Sequence, residues 1–320
     1  MFVKKLIISL GILLAGLVSV HAQDYPTKPI TIVIPYSTGG GADALARLFA
    51  SEMEQTLGQP VVIEARPGAA TMLAIDYVAN APADGYTVLL AFSSITVNPV
   101  VFPNADYELM KDFVPIAQLT TVPHMLAASK ASGVSSLAEF IELAKSKPGA
   151  LNYASVGEGS SLQLEAELLK KLTGTDITHI PYQGGAAILV DLLAGRVDMT
   201  FLTLSSLAGP TGAGEAVALA VTGDKRSSVV PDVPTFAEAG VEGFNAIEWA
   251  GFFVPDGTPD GAVNKLADSV AAALGKADFQ ERMSKIGFQP STMNRQEFLS
   301  TLENDPWSQI AKELGIRIEQ

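Results

Sequence analysis

The feature that most constrains this chain is a unit that occurs twice: a short apolar strand, a glycine-rich turn and an amphipathic helix. The first copy runs Thr31-Ile-Val-Ile-Pro35, then Ser37-Thr-Gly-Gly-Gly41, then a helical pattern from Ala42 to Leu57 with Leu45, Leu48, Phe49 and Met53 on one side. Gly58 stands just past that helix, where a left-handed residue is usual. The second copy is Leu151–Ser155, Val156-Gly-Glu-Gly159 and Ser160–Leu172. Each copy opens a run of four strands. Val61–Ile63, Tyr86–Phe92 and Val114–Thr120 follow the first; Thr178–Tyr182, Asp198–Leu202 and Val217–Thr222 follow the second. Helices are expected between them over Met72–Asn80 and Gly185–Leu193. This α/β alternation predicts parallel sheets with helices on both faces, arranged as two similar doubly wound domains. Met125–Ser129 and Gly251–Pro255 read as connections that cross between the domains, near residues 122 and 246. The tail from Pro259 reads as mostly helical and packs on the first domain. The expected division is residues 23–122 with 246–320 in one lobe and 123–245 in the other.

Residues 1–22 stand outside that pattern. Lys4 and Lys5 precede an apolar run from Leu6 to Val20, and Val20-His21-Ala22 places small residues around a cleavage point after Ala22. That is the layout of a secretory leader, leaving a mature chain from Gln23 in the periplasm. The run is too short to span a bilayer, which takes roughly 18 residues or more. The sequence has no cysteine, which excludes disulfides, thiol nucleophiles, cysteine-ligated zinc and a lipid anchor through a thiol. The chain carries 21 Lys and Arg against 34 Asp and Glu, a formal charge of −13, and loss of Lys4 and Lys5 makes the mature form more acidic still. Such a surface repels nucleic acid and anionic lipid.

The glycine turns are the places where chemistry can sit. A helix presents unpaired N–H groups and the positive end of its dipole at its first turn. Glycine lets the backbone approach a ligand with no Cβ between them. A turn of this kind binds an anion without any lysine or arginine, so an acidic protein can attract one by local fields. In open α/β sheets the ligand crevice lies at the carboxyl ends of the strands, where both turns fall. The candidate contacts are therefore Tyr36, Ser37, Thr38, Gly39, Gly40 and Gly41 in the first turn and Gly157, Gly159, Ser160 and Ser161 in the second. A third strand-to-helix turn, Tyr182 with Gly184, Gly185 and Ala186, and the strand-end hydroxyls of Ser93, Ser94 and Ser205 complete the set. Thr96, Thr203 and Ser206 share that strand-end position with helix-capping roles. Trp249, beside the return crossing, reads equally as a pocket wall or a hinge plug.

Other chemistries fit less well. Gly39-Gly-Gly41-Ala-Asp-Ala44 matches G-x-G-x-x-A after a strand, with Glu64 about 20 residues on, as in dinucleotide-binding folds. An exported chain has no ready supply of that cofactor, and the second turn would go unexplained. His124 and His179, the histidines left after processing, lie in no zinc or hydrolase motif, and Gly157-Glu-Gly-Ser-Ser161 is not a nucleophile elbow. Asp43, Glu158, Glu165 and Asp198 read as helix-end or surface acids, and no metal-ligand cluster is visible. No catalysis, metal or cofactor is expected.

At this point the residues resemble a known family, the periplasmic receptors of tripartite tricarboxylate transporters, or Bug receptors. The matching stretches are Tyr25–Ile30, Pro35–Asp43, Arg66-Pro-Gly-Ala69, Ala83-Asp-Gly-Tyr86, Pro148–Ala154, His179–Gly185, Asp191–Asp198, Pro231–Thr235 and Gly257-Thr-Pro259. They run in order over nearly all of the mature chain. The resemblance implies a two-lobed type II periplasmic-binding fold that closes on a small organic carboxylate (di-, tri- or aromatic) and delivers it, as a monomer, to a membrane permease. It implies that Thr38–Gly41 and Gly157–Ser161 hold one carboxylate, with Tyr182–Ala186 and Ser205 facing the rest of the ligand. The chain departs from the family pattern in having Ala70-Thr-Met72 where two glycines usually follow, Ala65 before the arginine, and Gln163 where a histidine is common. These changes suggest that Met72 and Phe92 line a more apolar pocket, suited to an aromatic or longer acid. The same cleft would also serve a ligand-sensing partner of a sensor kinase, and turnover of a bound acid would point to an enzyme instead.

Overall fold

The structure is a computed structural model that describes residues 25–317 apart from Gln183, Asn245 and Ala246. The leader, the mature terminus at Gln23 and the expected crossing at 246 lie outside the described residues. The strands, in chain order, are β1 (Ile30–Ile34), β2 (Val61–Ala65), β3 (Thr87–Phe92), β4 (Phe113–Val122), β5 (His124–Ser129), β6 (Asn152–Ser155), β7 (Thr178–Pro181), β8 (Met199–Thr203), β9 (Ala216–Val221), β10 (Glu248–Pro255) and β11 (Gln289–Pro290). They form two sheets, β11-β4-β10-β3-β1-β2 and β7-β6-β8-β5-β9, each flanked by helices. The chain leaves the first sheet after Val122, enters the second at His124, leaves it after Val221 and returns at Glu248.

Both sheets are mixed: most strands of each run the same way, as expected, but the two crossing segments are strands of the sheets and not plain connections. β1 pairs in parallel with β2 and β3, and β6 with β7 and β8. The two crossing segments are central strands that run the other way: β10 lies antiparallel between β3 and β4, and β5 antiparallel between β8 and β9. The reason is directional. Strands that carry the turns end at the cleft, whereas a crossing strand begins there. Both crossing strands are buried along their whole length, so inside their polar end residues His124, Ser129 and Glu248 their sequences show no alternation to mark them.

Two helices form against their local sequence pattern. Ser94–Val101 contains Pro99 and Leu204–Gly212 contains Pro210, so packing overrides local propensity there. Leu137–Ser146 does carry a cap, with Ser136 Oγ accepting from Glu139 N at 3.2 Å. The Asp260–Leu274 helix lies against Gly41–Leu57, and one apolar cluster joins them to β1 and β3 through Leu45, Phe49, Phe252 and Leu266. A second cluster continues from the other face of the first sheet into the second lobe. The last helix, Pro306–Leu314, was expected on the first lobe alone. It packs on both Ser94–Val101 and Ser161–Thr173, and Lys171 Nζ meets Glu313 at 2.9 Å across the lobes.

Buried charge gathers where the chain crosses. Val122 pairs with Glu248, and His124 N donates to Thr222 Oγ1 at 2.9 Å while Thr222 N donates to the His124 carbonyl at 2.9 Å. His124 Nδ1 lies 2.9 and 3.0 Å from the two carboxylate oxygens of Glu165. Glu165 is therefore a core residue and not a surface acid. Glu248 accepts from Ser93 N at 2.9 Å, Ser93 Oγ at 3.0 Å and Trp249 N at 3.0 Å. Trp249 is a core residue of this hinge: its Nε1 donates to Asp305 at 3.3 Å and its ring meets Phe298 edge-on.

Burial opposes a charge on His124, but Glu165 in contact and Glu248 nearby outweigh it and raise its pKa above the ordinary imidazole value. Burial likewise raises Glu165. The folded pair thus binds protons more tightly than the unfolded chain. Its contribution to stability is present below the ordinary imidazole value and is lost as pH rises through the raised folded value. Urea unfolding at about pH 6 and about pH 9 should show the wild type losing stability with pH, and Glu165→Gln, which still accepts from the ring, should flatten that loss. An equal pH dependence in both proteins would exclude the pair as its source.

Candidate functional site

Each glycine turn closes a strand and opens a helix. After β1 the chain passes through Pro35, Tyr36, Ser37 and Thr38 to Gly39, whose φ of +86° lies in the left-handed region. Gly40 caps the Gly41–Leu57 helix with extended backbone. Residues 36–41 are exposed, and the helix geometry leaves the amides of Gly41 and Ala42 without intrahelical carbonyls. After β6, Gly157 and Gly159 have φ of +120° and +74°, and Ser160 caps the Ser161–Thr173 helix.

The two turns share a device. Gly39 N donates to Asp43 Oδ2 at 2.9 Å, and Gly159 N donates to Gln163 Oε1 at 2.7 Å. In both, a side chain four residues on takes the glycine amide. In the first turn that side chain is an anion: Arg47 Nε donates to Asp43 Oδ2 at 3.0 Å and holds the carboxyl below its usual range. In the second it is a neutral amide.

The structure places the remaining candidates around these turns. Tyr36 sets its ring edge-on to Phe92, centroids 5.4 Å apart, at the end of β3. Ser93 and Ser94 follow, both buried. Ser93 spends its amide and hydroxyl on Glu248, while Ser94 Oγ accepts from Thr71 Oγ1 at 3.1 Å. In the second lobe, Tyr182 donates to Asp191 at 2.7 Å, itself paired with Arg196, so that hydroxyl's proton is committed to the helix that follows it. Gly184, Gly185 and Ala186 lie at the start of the Gly185–Leu193 helix. Ser205 shares a hydroxyl cluster with Thr203 at 3.1 Å. Met72 and Phe92 belong to different apolar clusters.

The lobes touch at two points beside the turns. A Cβ on Gly159 would stand 3.0 Å from the Phe102 ring, and one on Gly287 would stand 3.0 Å from Ser205 Cβ. Phe288, next along, lies against Gly41. The first lobe thus reaches the second turn through Phe102, and the second lobe reaches the first turn's neighbourhood through Ser205. A separate groove lined by Arg47, Leu48, Arg282, Lys285 and Ile286 lies between the Gly41–Leu57 and Ala277–Lys285 helices. Its three cations are already paired with Asp43, Glu52 and Glu281.

Sequence reasoning left out a strained wall of the first lobe. Ala69, Ala70 and Thr71 have φ of +46°, +50° and +76°, three consecutive non-glycine residues in the left-handed region. They are held from the Ser94–Val101 helix, where Asn98 Nδ2 donates to the Ala70 carbonyl at 2.9 Å. The departure from paired glycines marked this stretch, but its conformation follows from the helix behind it.

Comparison with known proteins agrees with this geometry. The family described as "Tripartite tricarboxylate transporter family receptor" matches residues 45–316. Protein BugT of Bordetella pertussis is 32% identical over 318 residues, 98% of each chain. The structure of R. palustris Rpa4515 with adipate aligns at a TM-score of 0.86 and 36% identity over 92% of this chain and 100% of that one. MatC from Rhodopseudomonas palustris with bound malate aligns at 0.81 and 33% identity over 89% of this chain and 99% of that one.

The strained stretch yields a stability prediction. A left-handed non-glycine residue costs about 1–2 kcal/mol, and glycine returns roughly 0.4–1 kcal/mol of that through the unfolded chain. Ala70→Gly should therefore stabilise the fold, raising the melting temperature by roughly 2 °C. A lower melting temperature by calorimetry would contradict the strain.

Proposed function

Since this chain belongs to the tripartite tricarboxylate transporter receptor family, we propose that it is a periplasmic receptor that captures a small organic carboxylate by closure of its two lobes and delivers it to the membrane permease of such a transporter. The observation that carries this reading is the pair of turns: two glycine-rich helix entrances, one per lobe, at the cleft ends of β1 and β6, with lobe-to-lobe contacts beside both. The ligand carboxylate meets the backbone amides of Gly40 and Gly41 and the Gly157–Ser161 turn, where fixed dipoles attract an anion that the net charge repels. Tyr36, Ser37, Thr38 and Ser94 line the first lobe's side; Tyr182, Gly184–Ala186 and Ser205 line the second's. The lobes are residues 23–122 with 246–320, and 123–245, after removal of a leader ending at Ala22.

No step of bond-making is assigned to the protein. His124 is bound to Glu165 in the hinge and His179 to Ser155, so neither is offered to a ligand as a base. The receptor acts as a monomer without metal or cofactor. Among acids, linear dicarboxylates come first, because Rpa4515 and MatC, the neighbours described above, hold adipate and malate. Micromolar affinity would correspond to about −8 kcal/mol, net of whatever lobe closure costs.

A thermal-shift screen of residues 23–320 against mono-, di-, tri- and aromatic carboxylates tests the reading. A ligand that binds only the folded state raises the melting temperature by mass action, and one acid class should do so. Gly40→Val is the sharper variant, because its φ is −93° and nothing but the Ser37 carbonyl at 3.9 Å approaches its Cβ position. The variant should fold, and its affinity should drop by at least about tenfold as the side chain crowds the anion from the amides. Gly159→Val is less clean, since backbone strain and Phe102 would act together. Unchanged affinity in folded Gly40→Val would sink the carboxylate-turn contact.

A further inference from the structure

The second turn is braced by side chains outside the set of ligand contacts, and the direction of each hydrogen bond among them can be assigned. Gly159 N–H can only donate, and it donates to Gln163 Oε1 at 2.7 Å. The amide nitrogen of Gln163 therefore faces away, and it lies 3.5 Å from His179 Nδ1, the longest link of the set. An NH2 group offers only hydrogens, so Nδ1 carries the lone pair and the ring proton sits on Nε2. Nε2–H donates to Ser155 Oγ at 2.7 Å. Ser155 Oγ also accepts from Gly157 N at 3.2 Å, and gives its own proton to the Gly157 carbonyl at 3.0 Å. That carbonyl accepts from Ser160 Oγ as well, at 2.6 Å. The circuit starts at Gly159 and ends at Gly157, with His179 at its centre.

We propose that His179, acting through Gln163 and Ser155, is a positioning residue that holds the Gly157–Ser161 turn in its ligand-binding shape, and that it does so as the neutral Nε2–H ring. The proposal rests on the reading of that turn as a carboxylate contact. It follows from two features of the backbone. Gly157 and Gly159 both occupy positive φ, so the turn has more freedom than any ordinary loop and must be selected by bonds from outside it. Those bonds come from Gln163 and Ser155, and one imidazole contacts both. A second proton on Nδ1 would face the Gln163 NH2 group, donor against donor. To accept that proton, the Gln163 amide must rotate, which turns its NH2 toward Gly159 N–H and breaks the brace.

The surroundings of His179 keep the ring neutral near pH 7. Its ring stacks on Tyr153, centroids 4.8 Å apart. Tyr153 OH donates to Glu167 at 2.6 Å, and Lys170 Nζ pairs with the same carboxylate at 2.7 Å. Burial outweighs the opposing Glu167 and Glu158, with Lys170 adding least, and lowers the pKa below the ordinary imidazole value.

The test uses the purified full chain, adipate as probe, and two variants. His179→Phe keeps the aromatic stack on Tyr153 and removes both ring hydrogen bonds; Gln163→Leu removes the other half of the brace. Titration calorimetry from about pH 7.5 to about pH 5 should show wild-type affinity steady near neutrality and falling roughly tenfold as His179 takes up a proton. Each variant should bind adipate roughly 5- to 10-fold more weakly at neutral pH and show on the acid side only the fall that protonation of adipate itself gives, although Glu158 and Glu167 remain. The double variant should be no weaker than either single one. Wild-type affinity and pH profile in folded His179→Phe would overturn the proposal, as would additive losses. If wild type binds neither adipate nor any acid of the panel, the receptor reading fails, and the brace is read without ligand. Nitrogen NMR of the imidazole must then show the Nε2–H tautomer at neutral pH, with a Gly159 amide protected from exchange in wild type and unprotected in His179→Phe. A ring protonated on Nδ1 at neutral pH would refute the brace itself.

Discussion

The two lobes are joined by strands that run against their neighbours, and much else follows from that constraint. A chain that must leave one sheet at the cleft and enter the next from the cleft can only insert an antiparallel strand. β5 and β10 do this, each between two neighbours of its sheet. Their first residues, His124 and Glu248, are thereby carried into the buried seam between the lobes. Charges placed there must be paired or hydrogen-bonded. Glu165 meets His124, and Ser93 with the Trp249 amide meets Glu248. Asp305 caps the last helix and accepts from Thr96 at 2.7 Å and from Trp249, which ties the tail to the same seam.

The proposed function requires an acidic protein to present an anion site. Its surface charge is screened within about 8–10 Å at ordinary ionic strength, whereas backbone dipoles at a helix entrance act at contact. The cations beside the turns do not supply the field. Arg47 is held by Asp43, and Asp43 itself occupies the Gly39 amide. The first turn therefore offers its attraction through Gly40, Gly41 and Ala42. The second turn carries no acid on its own amide, since Gln163 stands there. The two turns are thus unlike in what occupies their glycine amides, an anion in one and a neutral amide in the other, despite their matching strand–turn–helix design.

Strain concentrates on the first-lobe wall for a related reason. Ala69, Ala70 and Thr71 must lead from the end of β2 into the Met72–Ala79 helix in left-handed conformation. The cost is met by fixed partners, Asn98 on the Ala70 carbonyl and Ser94 on the Thr71 hydroxyl. Such strain persists where the surrounding structure over-determines it.

The amino-acid sequence by itself determined what depends on neighbours along the chain. Apolar runs set β1 and β3, helical periodicity set Gly41–Leu57 and Ser161–Thr173, and glycine marked the turns that need positive φ, because period and backbone freedom are local properties. The family likeness, spread over many short stretches, carried the two-lobed fold with it. Only the tertiary structure decided which buried strands run backwards, because a fully buried run looks the same in either direction. It alone paired Ser93 with Glu248, 155 positions apart, and His124 with Glu165, 41 apart. It alone made His179 the centre of a turn that ends 18 positions or more before it in the chain. A side chain's partner across the fold is set by packing and by the need to satisfy buried polar groups, and neither leaves a spacing in the sequence.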